Sequence, residues 1–137
     1  MSRRRMARWT GFGAGAAALA SALFTGCFSE HPEGITGLSD ACAEVARAAN
    51  IPSNHVIVGI ENHAFTPANV TIARGQTVTW VNCESQNIRH TATADDGSWE
   101  SPLFGPPQTY SRTFSAAGNN PYFCEPHPFM TGTVVVS

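Results

Sequence analysis

A short segment near the carboxyl end of the chain, residues 122–130, carries a thiol, an imidazole and a thioether at close spacing. Cys124, His127 and Met130 follow the pattern C-x-x-H-x-x-M. Sulfur ligands combined with imidazole favour copper, and two histidines, one cysteine and a weak axial methionine are the ligand set of a blue-copper electron-transfer centre. The segment lacks the second histidine, which must come from elsewhere in the chain, and His90 is the candidate.

Two prolines, Pro126 and Pro128, flank His127 and are expected to stiffen the segment that carries the ligands. Proline restricts φ and has no N–H group. The sulfur of Cys124 therefore has fewer possible backbone donors, and hydrogen bonds to that sulfur are one control on the reduction potential.

The elements that must hold these residues are predicted to be short strands, because apolar residues alternate with polar ones from residue 54 onward. Gly, Pro and Asn separate the β-branched and aromatic segments, which predicts an all-β sandwich of antiparallel strands. The segment 83–107 is long and polar, and long loops in compact domains are usually functional. The predicted strands cover residues 56–60, 70–72, 77–81, 109–115, 122–123 and 131–136.

This arrangement predicts that the candidate ligands meet at one end of the sandwich. We expect Cys124 to end a strand, with His127 and Met130 on the tight turn that follows it. His90 is expected to reach the same end from the separate loop. Met130 is the only methionine after residue 26, and it lies at ligand spacing, which favours a metal ligand over a residue that fills the core.

Residues 38–50 differ from the rest because their apolar residues recur at helical spacing. Ser39 can act as an N-cap, Asp40 follows it, and Pro52 comes just after the segment. We therefore predict a short helix that packs on the domain through Cys42, since a helix of this length is not stable alone in water.

The first 26 residues have the features of an export signal, with arginines at positions 3, 4, 5 and 8 before a weakly apolar stretch. The sequence Leu-Phe-Thr-Gly-Cys that ends at Cys27 resembles a bacterial lipobox, so we expect Cys27 to be lipidated. The alternative is an ordinary signal peptide that leaves Cys27 free or in a disulfide. Residues 27–53 would form the lipid-anchor tether and the short helix, and residues 54–137 the folded domain. Either way, the protein is expected on the periplasmic or cell-surface side of a membrane.

Export changes the charge of the chain, because four of its eight arginines lie in the signal and all ten acids follow it. The remaining four arginines against ten acids give a net charge of −6. This balance argues against nucleic acid and against electrostatic adhesion to a membrane, so a lipid anchor is the only membrane contact expected. It permits a basic protein partner, although Asp95, Asp96 and Glu100 are predicted to be simply solvated.

The four cysteines would suggest two disulfides in an exported protein. If Cys27 carries lipid and Cys124 binds metal, Cys42 and Cys83 remain as a possible pair. Free thiols at both positions are the alternative.

Several motifs between residues 56 and 136 resemble those of the cupredoxins, the small type 1 copper proteins of the plastocyanin and amicyanin kind. The resemblance implies a Greek-key β-sandwich that binds one copper ion as Cu(I) or Cu(II). It assigns His90, Cys124, His127 and Met130 as the ligands, with Thr91 offering its N–H to the sulfur. The motifs are Ala64-Phe65-x-Pro67, Gly75-x-Thr77-Val78-Thr79-Trp80-x-Asn82, His90-Thr91-x-Thr93, Asp95-Asp96-Gly97-Ser98 and Cys124-x-Pro126-His127-Pro128-Phe129-Met130.

The chain departs from the cupredoxin pattern in the stretch before His90. Arg89 stands where relatives often have proline, the stretch after Asn82 is longer by about two residues, and Cys83 lies within it. Asn82, Thr91, Pro126 and Pro128 are the residues expected to support the ligands.

The remaining histidines and tryptophans are assigned no part in binding copper. His31, His55 and His63 are predicted to be surface residues. Trp80 is predicted to lie in the core, and the sequence leaves open whether Trp99 is exposed near the site.

A one-electron carrier is the function that these observations favour. Pro126, His127, Pro128 and Phe129 would form a small apolar face for brief contact with redox partner proteins. We expect a monomer, and no enzyme activity, because four protein ligands leave no open position for a substrate. The main alternative is copper trafficking or storage, which usually needs several exposed methionines. A catalytic oxidase would need more histidines than the five present, and thioether is a poor ligand for a structural zinc ion.

Overall fold

The computed structural model describes residues 37–137, which form one helix and eight strands. The export signal, Cys27 and His31 lie outside the described residues. No helix within the described part is long and apolar enough to cross a membrane. In chain order the elements are α1 (Asp40–Ala48), β1 (His55–Glu61), β2 (Ala64–Thr66), β3 (Asn69–Ile72), β4 (Thr77–Asn82), β5 (Thr93–Ala94), β6 (Thr109–Thr113), β7 (Gly118–Cys124) and β8 (His127–Val136).

The strands form two four-stranded sheets, which confirms the predicted β-sandwich. The first sheet has the order β2-β1-β4-β6 and the second the order β3-β8-β7-β5. The prediction of purely antiparallel strands is wrong for two pairs, because β1 runs parallel to β4 and β3 runs parallel to β8. The chain crosses to the other sheet between β1 and β4, so both strands enter the first sheet in the same direction. The strands β2 and β5 were missed because they contain only three and two residues.

The helix α1 confirms the prediction for this segment, since the Ser39 side chain accepts a hydrogen bond from the backbone N–H of Cys42. The helix packs on the outer face of the first sheet, where Ala46 contacts a small cluster with Ile57 and Val81. Strands β1 and β4 are therefore buried on both faces, one against the sandwich core and one against α1. The alternating pattern in the sequence predicted only the face that packs against the sandwich core.

Cys42 and Cys83 form a disulfide that joins α1 to the end of β4. The helix approaches β1 so closely that a Cβ atom on Gly59 would lie 2.6 Å from the Cys42 sulfur. A side chain at Gly59 would therefore force Cys42 and Leu38 to move away from β1. The disulfide and the small glycine together fix the position of α1 on the sheet.

The main core lies between the two sheets and is centred on Trp80, which is completely buried, as predicted. Trp99 is only 6% exposed and packs against Trp80 with a ring-centroid distance of 5.6 Å. The question that the sequence left open is therefore settled, because Trp99 belongs to the core. Tyr122 also contacts Trp80, with ring centroids 5.4 Å apart.

Replacing both Cys42 and Cys83 with serine should lower the free energy of unfolding of the metal-free protein. The disulfide closes a loop with a sequence separation of 41, and the chain-entropy relation gives about 4 kcal/mol for such a loop. Urea unfolding would measure the difference. A dithiol reductant should lower the stability of the wild-type protein to that of the variant and leave the variant unchanged. Equal stability of the two oxidised proteins would contradict this prediction.

Candidate metal centre

The hairpin between β7 and β8 brings two of the candidate ligands opposite one another. Cys124 is the last residue of β7 and pairs with His127, the first residue of β8. Only Glu125 and Pro126 lie between the two strands. His127 and Met130 were expected on the turn itself, but the structure places both within β8, because the turn is shorter than predicted. Met130 is 2% exposed.

His90 reaches the same end of the sandwich from the segment between β4 and β5. Its backbone exchanges two hydrogen bonds with Phe104, each with a donor–acceptor distance of 3.0 Å. The predicted loop 83–107 is therefore partly ordered as strand-like pairs, and its side chains do not simply extend into solvent. The imidazole of His90 is completely buried.

Three potential metal-binding atoms meet at this point. The Cys124 sulfur lies 3.5 Å from Nδ1 of His90 and 3.7 Å from Nδ1 of His127, and the two Nδ1 atoms are 3.2 Å apart. Bonds from a metal ion to nitrogen and sulfur are about 2.0 to 2.3 Å long, so two atoms bound to one ion lie about 3 to 4 Å apart. Two imidazole lone pairs that face each other at 3.2 Å repel unless a proton or a cation lies between them. The arrangement therefore fits a single metal ion.

Asn82, at the end of β4, holds the segment that carries His90. Its side-chain N–H groups donate to the carbonyl oxygens of Ile88 at 2.9 Å and Phe104 at 3.0 Å. Its side-chain oxygen accepts from the backbone N–H of Glu84 at 3.1 Å. Asn82 is completely buried, so the loss of these bonds would leave polar groups without partners.

Thr91 connects the His90 segment to the hairpin of Cys124 and His127. Its backbone N–H donates to the Cys124 sulfur at 3.4 Å. Its side-chain oxygen accepts from the backbone N–H of Glu125 at 2.9 Å. Among residues 37–137, the Thr91 N–H is the one backbone donor that reaches this sulfur. Thr91 therefore both orients the thiol and fixes the turn that follows it.

Glu84 binds the outer nitrogen of His90, a contact that the sequence did not indicate. Its Oε1 atom lies 3.2 Å from Nε2 of His90. A hydrogen bond from Nε2–H to this carboxylate leaves the lone pair on Nδ1 free for a metal ion. Burial lowers the pKa of His90, and the hydrogen bond to Glu84 opposes part of that lowering. Both the burial and the tautomer therefore suit a neutral imidazole ligand.

His63 lies beside the site. Its side chain is 39% exposed, so it is a surface residue as predicted, but its contact with the candidate ligands was not predicted. Its ring centroid is 4.8 Å from that of His127 and 5.6 Å from that of His90. His63 occupies the turn between β1 and β2, and its backbone N–H donates to Glu84 at 2.8 Å. Because β2 was not predicted, nothing in the sequence placed this turn next to the ligands. His55 lies away from the site, and its Nδ1 atom is 2.8 Å from the hydroxyl oxygen of Thr79.

The residues around His127 lie at the surface. Pro126 and Pro128 are exposed, and Phe129 is 72% exposed. His127 is half-buried, so part of its ring is accessible from this side. Asp95, Asp96 and Glu100 are also exposed, in agreement with their prediction as solvated residues.

The two-sheet sandwich and the buried His-Cys-His cluster together define a cupredoxin. A model for "Copper binding proteins, plastocyanin/azurin family" matches residues 53–137. The chain is 39% identical to amicyanin of Paracoccus versutus over 92 residues, which cover 65% of this chain and 70% of that one. It is 40% identical to plastocyanin of Scenedesmus fuscus over 83 residues, which cover 53% and 85%. The crystal structure of the Paracoccus versutus amicyanin superposes with a TM-score of 0.58 at 39% identity, covering 66% and 88%.

The chain belongs to the plastocyanin/azurin family of copper-binding proteins. Its cofactor is one type 1 copper ion, as predicted. The chemistry of the donor set agrees with this cofactor, because a thiolate and two imidazoles suit copper in both oxidation states.

Replacing Glu84 with glutamine should weaken Cu(II) binding, because the negative charge that increases the basicity of His90 is lost. We expect a loss of roughly tenfold in Cu(II) affinity, and a rise of about 60 mV in reduction potential if Cu(I) affinity is unchanged. Competition with a chelator and redox titration would measure the two quantities.

Glu44→Gln is the matched control, since Glu44 lies on the exposed face of α1 and, among residues 37–137, forms a side-chain ion pair with Arg47 alone. It removes the same charge without a contact to the site. An equal change in potential in both variants would show that the hydrogen bond to His90 has no specific effect.

Proposed function

We propose that the protein is an exported one-electron carrier that passes electrons between redox partner proteins. The observation that carries this proposal is the burial of the ligand cluster together with the partial exposure of one of its members, His127. When bound, copper supplies reversible one-electron chemistry between Cu(I) and Cu(II). The residues of the chain hold the ligands, exclude water and offer one edge for electron exchange.

His90, Cys124, His127 and Met130 are the proposed ligands. His90 is held by Glu84 and by the Asn82 hydrogen bonds. These contacts, with that of Thr91 to the sulfur, hold His90 and Cys124 in position before copper binds. A fixed site suits electron transfer, because large ligand movements between the two oxidation states would slow it.

The proposed electron-transfer face consists of Pro126, His127, Pro128 and Phe129. The two prolines and Phe129 are exposed and carry no charge, and they surround the accessible part of the His127 ring. A small apolar face of this kind allows brief contacts with redox partners instead of stable complexes. The excess of acidic residues in the chain favours partners that are basic around their own contact site.

We further propose that the protein acts as a monomer on the periplasmic or cell-surface side of a membrane, held there by lipid on Cys27. The arginine-rich start of the chain and the sequence before Cys27 support this location. A catalytic activity is not part of the proposal, because four protein ligands leave no position for a substrate.

The Cys124→Ser variant tests the proposed ligand set. Oxidised, copper-loaded wild-type protein should show intense visible absorption from the thiolate–copper bond and a narrow copper hyperfine splitting in its electron-spin spectrum. Cys124→Ser should lose this absorption completely, whereas Cys42→Ser should keep it because Cys42 lies in the disulfide and away from the cluster. A colourless wild-type protein, or a coloured Cys124→Ser variant, would refute the assignment.

The Phe129→Glu variant tests the proposed face. Electron exchange between two copies requires their faces to meet, and a like charge on both faces should slow it by roughly tenfold at low salt. The absorption spectrum should stay unchanged. The broadening of nuclear magnetic resonance lines in mixtures of reduced and oxidised protein would measure the rate of electron exchange.

Ser115→Glu adds the same charge at the other end of the sandwich and serves as the control. Ser115 follows Phe114, whose backbone N–H donates to the carbonyl oxygen of Gln76, just before β4 begins. The ligands lie beyond the opposite end of that strand. Equal exchange rates in the two variants would place electron transfer elsewhere on the surface.

A further inference from the structure

The turn between β1 and β2 contains a histidine where the backbone favours glycine. Glu61 pairs with Ala64, so only Asn62 and His63 form the turn. Both residues have positive φ values, 53° and 56°. Two-residue turns of this kind favour Asn-Gly, because glycine adopts the second position without steric cost. A side chain at position 63 therefore costs backbone strain.

The hydrogen bonds that join this turn to Glu84 do not require the imidazole of His63. The backbone N–H groups of Asn62 and His63 donate to the Glu84 carboxylate at 3.2 Å and 2.8 Å. Glycine at position 63 would donate in the same way. The presence of a strained histidine therefore points to a role for its ring.

The ring of His63 extends from solvent to the metal centre. Its side chain is 39% exposed, and its Nδ1 atom lies 3.9 Å from the Glu84 carboxylate. The ring meets that of His127 edge to face and stacks loosely on Phe129, with a centroid distance of 6.5 Å. His63 is thus an accessible imidazole in direct contact with an imidazole of the proposed ligand set.

Of the four proposed ligands, all except His127 are buried. His90, Cys124 and Met130 have relative exposures of 0%, 0% and 2%. His127 is the one member of the set that is half-buried. An ion that reaches the site from solvent must therefore arrive at the edge of His127, which is where His63 lies.

We propose that His63 is a loading ligand, which binds the copper ion first and passes it to His127 and Cys124. This inference rests on the proposed function in taking His127 and Cys124 as copper ligands. An exposed imidazole can replace a water molecule of a hydrated ion before the buried ligands are reached. The transfer changes no oxidation state, because bound water leaves the ion and the thiol proton of Cys124 passes to solvent when the sulfur binds.

The test measures how fast metal-free protein takes up Cu(II), using the growth of the thiolate–copper absorption after rapid mixing. His63→Gly relieves the backbone strain and should fold at least as well as the wild-type protein. We expect it to take up copper roughly tenfold more slowly and to reach the same final spectrum. Asn62→Gly is the control in the same turn and should load at the wild-type rate.

A further variant, His63→Leu, separates metal binding from simple occupation of space. Leucine fills part of the space of the imidazole and has no ligand atom. The proposal expects His63→Leu to load as slowly as His63→Gly.

Wild-type loading rates in His63→Gly or His63→Leu would overturn the proposal. An altered final spectrum in His63→Gly would also overturn it, because His63 would then position a ligand in the finished site. The final spectrum of the wild-type protein tests the proposed function separately, whatever the rates.

Discussion

The metal site depends on one close contact, that between the Nδ1 atoms of His90 and His127 at 3.2 Å, with the Cys124 sulfur beside both. Without a proton or a cation between them, the two nitrogen atoms repel each other, and a chain that was free to move would let them separate. They are held together because His90 comes from the segment that follows β4 of the first sheet, and the other two come from a hairpin of the second sheet. Packing the two sheets over the core around Trp80 is therefore what creates the metal site.

Hydrogen bonds around the site set the positions of the individual ligand atoms. Asn82 fixes the segment of His90, Thr91 joins that segment to the hairpin, and Glu84 selects the nitrogen that faces the metal. Glu84 also binds the turn between β1 and β2, and it follows Cys83, whose disulfide leads to α1. The helix outside the sandwich is thus connected through a short series of contacts to the outer nitrogen of His90.

Local sequence was sufficient for the features that depend on neighbours along the chain. The spacing of Cys124, His127 and Met130, the N-cap at Ser39 and the central strand around Trp80 could all be predicted in this way. The parallel pairing of β1 with β4 could not, because it arises from a crossing between sheets. The burial of Ile57 on a second face likewise requires α1 to be in place. Glu84 was missed although it lies only six residues before His90, because the irregular fold of the segment between them brings the two side chains together. His63 was missed because it contacts His127, which is distant in sequence and in the other sheet.

A site fixed by the fold should exist before copper binds and should change little between the two oxidation states. Crystal structures of the metal-free, Cu(I) and Cu(II) forms test this directly. We predict that Nδ1 of His90, Nδ1 of His127 and Sγ of Cys124 shift by less than about 0.5 Å among the three structures. A metal-free structure with His127 turned away from His90, and the cluster formed only in the presence of copper, would contradict this account.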